Sequence, residues 1–61
     1  MYIAKPNSFN EIGQKLFNDV NEAIKYLEEA TGYSMGFHTS RKTGKIYDWE
    51  LVGKLVRVEN V

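Results

Sequence analysis

Cysteine is absent from the 61 residues, so no disulfide can reinforce the fold in the manner of a minute secreted protein. A reducing compartment follows as the expectation, and the cytoplasm is the expected location. Histidine occurs once, at His38, which leaves too few His and Cys ligands for a zinc shell and a single base for any nucleophile to use. No apolar run has signal-peptide or membrane-spanning length, and the opening "MYIAKPNSF" holds one cation, so no membrane association is expected. Repeats, linkers and low-complexity segments are missing as well. One domain over residues 1–61 remains, a body small enough to bury only about 60 % of the surface its unfolded chain exposes.

Net charge is also lacking. Eight Lys and Arg balance eight Asp and Glu, which removes the strong positive field of many nucleic-acid binders and the negative field of a DNA mimic. The balance hides a division: residues 1–30 hold three cations and five anions, whereas residues 31–61 hold five cations and three anions.

What the chain does possess is periodicity. Val20, Ala23, Ile24, Leu27 and Ala30 recur at spacings of three and four, forming one apolar stripe that predicts a helix over about 19–31. Asp19 with Glu22 has the form of a capping box, and Gly32 supplies a stop. After Gly32 the period shortens to two. Tyr33, Met35 and Phe37 alternate with Ser34, Gly36 and His38, predicting a strand over about 33–39; "TSRKTG" reads as a loop; and "KIYDWELV" resumes alternation over about 45–52, with Tyr47, Trp49 and Leu51 on one face and Asp48 and Glu50 on the other.

Gly53-Lys54 fits a two-residue turn with glycine first, leading into a strand over about 55–60. That turn pairs Val52 with Leu55, Leu51 with Val56, Glu50 with Arg57 and Trp49 with Val58, but it also sets Asp48 against Glu59, which is unfavourable. One long strand bulged at Gly53 is the competing reading.

At the start, residues 2–5 read as a short strand stopped by Pro6. Residues 8–17 support either an early helix capped by Ser8 and Glu11, or a turn at Gly13 followed by a strand over 14–17, with the second preferred. The fold class expected is α+β: a single two-layer domain with one main helix packed on an antiparallel sheet.

Catalytic equipment is thin. His38 falls out of phase with the apolar positions of its stretch and reads as an exposed residue. Asp48 and Glu50 share a strand face about 7 Å apart, a spacing that two cooperating carboxylates can use, yet such pairs are mostly solvated charges. No catalytic residue, metal or cofactor is assigned, and the chain is not expected to be an enzyme.

Binding is the remaining class. Arg41, Lys42 and Lys45 gather at one bend, with Tyr47 and Trp49 near enough to stack bases if exposed, which gives a small nucleic-acid-binding module using hairpin 39–45 as one alternative. Three cations make a thin phosphate footprint, and the bend lacks the glycine-rich run and following helix of a phosphate cradle.

Protein binding is favoured. Aromatic residues form 13 % of the chain, more than a small core absorbs, and aromatics anchor interfaces. Tyr26, off the helix stripe, and Tyr33 are the candidates beside Arg41, Lys42 and Lys45. A sheet edge can also accept a partner strand or a second copy. Size and composition resemble those of phage and mobile-element accessory proteins that inhibit or modulate a host protein by docking on it, and that is the functional expectation.

Overall fold

The computed structural model describes residues 1–37 and 40–61, and the side chains of all of these except Phe37, Ser40, Arg41 and Thr43. One helix, α1 (Val20–Thr31), packs on a sheet of five strands: β1 (Tyr2–Lys5), β2 (Lys15–Phe17), β3 (Ser40–Thr43), β4 (Ile46–Leu51) and β5 (Lys54–Asn60). The strand order is β2-β1-β5-β4-β3 and every pairing is antiparallel. The α+β two-layer class is therefore the observed one.

Helix α1 begins and ends where its caps dictate. Asp19 is extended and its side chain accepts a hydrogen bond from the Asn21 N–H at 2.9 Å, satisfying a donor that the first turn leaves orphaned. Gly32 adopts a left-handed φ of 80° and donates its N–H to the Glu28 carbonyl at 2.9 Å, closing the last turn. Along the stripe between them, Ala23 and Leu27 are fully buried, Val20 and Ile24 are half-buried, and Ala30 is exposed.

The inner sheet face supplies the rest of the core. Residues directly opposite one another share a face, and the register lines up Ala4, Val58 and Tyr47 in one row and Val56 with Trp49 in the next. Ala4, Trp49, Leu51, Val56 and Val58 are buried, joined by Met35 from the segment after the helix. Helix α1 lies over β1, β2 and β5. At one end of the sheet the first and last residues meet, with the Val61 N–H donating to the Met1 carbonyl at 2.8 Å.

Three expectations are corrected. Residues 33–37 are not strand: Tyr33 and Ser34 are irregular and Met35–Phe37 form one turn of 3-10 helix. Polar groups of the last helical turns hold the chain back there. The Thr31 hydroxyl accepts from the Tyr33 N–H at 3.3 Å, and the Glu28 carboxylate accepts from the Met35 N–H at 2.9 Å and from the Ser34 hydroxyl at 3.5 Å. His38 and Thr39 lie outside the described residues.

Secondly, the stretch read as a loop, "TSRKTG", contributes strand β3, and the bend is confined to Gly44 and Lys45. Residues 8–17 follow the turn-and-strand alternative. Tight turns from Pro6 to Phe9 and from Phe9 to Ile12 lead to β2.

Thirdly, the β4–β5 hairpin turns at Val52-Gly53 rather than Gly53-Lys54. Both residues have positive φ, 47° and 80°, the pattern of a type I′ turn. The register slips accordingly: Asp48 faces Arg57, Trp49 faces Val56 and Tyr47 faces Val58. The slip removes the Asp48–Glu59 repulsion and moves Arg57 from Glu50 to Asp48 as its cross-strand partner. The strain at Val52 accompanies a register in which no like charges of the two strands stand opposite one another.

Candidate interaction surface

Among the described residues the sheet is covered on one face only, by helix α1. On the outer face the cross-strand register sets Leu16, Ile3, Glu59, Ile46 and Thr43 in one row and Lys5, Arg57, Asp48 and Arg41 in the next. Lys5 pairs with Glu59 diagonally across β1 and β5. Arg57 donates from Nε to Asp48 at 2.5 Å and from a terminal nitrogen to the second Asp48 oxygen at 3.4 Å, a forked contact. The guanidinium is held above its ordinary pKa by that hydrogen bond, and by the charges of Asp48 and Glu59, which together outweigh the lowering from burial. Arg57 therefore stays protonated at any working pH. The outer face is a ladder of matched charges with Leu16 and Leu55 exposed at its margins.

The ladder limits what Asp48 and Glu50 can do. They share a face as expected, but the Asp48 carboxylate is engaged by Arg57, so the two do not form a free carboxylate pair. Near the turn after β1 a shallow groove of about 400 Å³ is lined by Ser8, Phe9, Ile12, Thr31 and Lys54, with Glu11 its one carboxylate.

The five residues singled out for partner binding are spread over three places. Arg41 and Lys42 lie on β3, which ends the sheet and has β4 as its strand neighbour; Lys45 sits in the exposed turn that follows. Arg41 stands opposite Asp48 in register. Lys42 reaches back so that its Nζ lies 4.9 Å from the centre of the Tyr47 ring, within range of a cation–π contact. Lys45 accepts the Asn60 N–H on its carbonyl at 2.9 Å, tying the turn to the end of β5.

Tyr26 lies far from this group, at the β2 side. Its hydroxyl donates to the Gly13 carbonyl at 2.6 Å, its ring packs on Phe17 at 5.5 Å, and Lys15 lies over it at 5.6 Å. That ring and hydroxyl clamp the loop before β2 onto the helix. Tyr33 is half-buried against Phe9, 6.4 Å between ring centres.

Tryptophan is no stacking platform either. Trp49 is 6 % exposed and lies near-parallel to Tyr47 at 6.2 Å inside the core cluster. The feature that sequence reasoning missed is the edge strand itself, because "SRKT" offers no apolar alternation to mark it.

No protein-family model matches the chain, and neither a curated protein nor a solved structure matches it. Among the described residues no helix is long and apolar enough to cross a membrane.

Proposed function

We propose that the chain is a small non-enzymatic protein-binding module, an inhibitor or modulator of the phage or mobile-element kind that docks on a host protein and works by occupying its surface. The observation that carries the reading is the position of β3. A strand with a neighbour on one side has backbone N–H and C=O groups directed away from the sheet, and such an edge is a template for another chain. Lys42 on it and Lys45 in the turn after it give the edge a sign. The cytoplasm is the proposed compartment, since a cysteine-free chain gains nothing from an oxidising one.

The burial of Trp49 weighs against a polynucleotide partner, because stacking of bases on an exposed ring supplies much of the affinity for single strands. The test is photo-cross-linking in cells of the organism that makes the protein, with a photoreactive side chain placed at Lys45 and, as control, at the exposed helix residue Glu22. A discrete protein adduct from position 45 and none from position 22 is expected. Adducts that nuclease digests, adducts equal at both positions, or none at position 45 would each refute the reading.

A further inference from the structure

The chemistry of the occupant follows from what β3 repels. The segment from Ala30 to Tyr47 contains no Asp or Glu, while Arg41, Lys42 and Lys45 fall within it. The nearest acid across the sheet, Asp48, is held by Arg57. Strand β3 therefore carries two cations and no acid, and the one carboxylate opposite it in register, Asp48, is shared with Arg57.

A second copy of the chain meets that field badly. In an antiparallel β3-to-β3 pairing with the strands fully overlapped, Arg41 of each copy falls opposite Lys42 of the other; a shift of one residue either way sets Arg41 against Arg41 or Lys42 against Lys42. Like charges directly opposite are destabilising. Pairing β3 with the far edge, β2, brings in Lys15. A homodimer formed by pairing β3 with itself is thus disfavoured, which is how edge cations protect a sheet from its own kind.

A partner strand bearing anions meets the opposite situation. Consecutive residues of a strand alternate across the sheet, so Arg41 and Lys42 are complemented by two consecutive acids, one on each face. We infer that β3 receives an extended, acidic segment of a partner protein as an additional antiparallel or parallel strand, the backbone supplying the bonds and an Asp/Glu pair supplying the selectivity. This inference rests on the protein-binding reading above and specifies its ligand.

The probe is a capped octapeptide of valines and acids containing one Glu-Asp pair, added to isotope-labelled protein at about 1 mM, a concentration that detects even weak strand addition. Expected are amide shifts concentrated in residues 40–43 and slowed hydrogen exchange at those amides. A peptide with Gln and Asn in place of the acids should bind about tenfold more weakly, and Lys45→Glu, at an exposed turn, should weaken the acidic peptide by a similar factor. Lys42→Glu is read alongside it, with the spectrum of the variant showing whether its fold is intact.

Slowed exchange with no preference between the two peptides, shifts scattered outside β3, or no shift at all would overturn the inference. So would heparin or a single-stranded oligonucleotide shifting the same residues without slowing exchange while the peptide does nothing. If the peptide fails but the adduct from position 45 persists, the acidic-strand inference falls and the protein-binding reading stands. If both fail, the reading itself is lost.

Discussion

Val52 is where the hairpin register can be tested by a single substitution. Its φ of 47° lies in the left-handed region, where an L-residue other than glycine costs about 1–2 kcal/mol and where asparagine is several-fold enriched. The residue is 63 % exposed, so about a third of the roughly 2 kcal/mol gained by fully burying a valine, near 0.7 kcal/mol, bounds what its removal forfeits. Val52→Asn should then raise stability by about 0.5–1 kcal/mol, because relief of the strain outweighs the small apolar area returned to water. For a domain of this length that is a rise in Tm of roughly 2–8 °C. Thermal unfolding followed by the emission of Trp49, the sole tryptophan and a buried one, provides the assay. In the competing turn, with Gly53 and Lys54 at its centre, Val52 is an extended strand residue, and asparagine, a poor strand former, would lower Tm instead. A fall in Tm would refute the type I′ turn and the register built on it.

Substitutions at three further sites test the core, the cap and Tyr26. Leu27→Ala, at a fully buried site on the helix face, should cost about 2–5 kcal/mol and remove most of the stability of so small a domain; a urea midpoint close to that of the parent chain would contradict the packing. Asp19→Ala should cost about 1 kcal/mol while Asp19→Asn leaves the midpoint nearly unchanged, since both Asp and Asn cap a helix start; equal losses from the two would point away from capping. Tyr26→Phe, which removes the bond to the Gly13 carbonyl, should lower stability by about 0.5–1.5 kcal/mol as read by denaturant unfolding. An unchanged stability would refute a stabilising role for that bond.

Helix α1 was legible in the sequence because three signals coincide: an apolar stripe of period 3.6, an acid at the start and a glycine at the end. Strands β4 and β5 were legible for the same kind of reason, since Tyr47, Trp49 and Leu51 alternate cleanly. Their register was not. Turn chemistry favours glycine at the first central position or Asn-Gly across both, and no local preference selects a valine at positive φ. The usable warning was electrostatic, the opposition of Asp48 and Glu59, and it was resolved in the structure by a shift of the turn. Residues 33–37 misled because alternation is necessary for a half-buried strand without being sufficient. Side chains of Glu28 and Thr31, set one turn back on the helix, decide that segment, and their reach is not visible in a pattern of period two. Strand β3 escaped notice for the converse reason: an edge strand of sequence "SRKT" has no apolar face to betray it. The candidate surface was half legible, its cations being plain and their place on a sheet edge being hidden.

The meeting of Met1 with Val61 has a practical corollary. Because Asn60 is bonded to Lys45, both chain ends emerge beside the bend that leads out of β3. A purification tag or fluorescent fusion at either end would therefore crowd the proposed docking edge, whereas a label at the exposed Asn10, by the opposite rim of the sheet, leaves that edge clear.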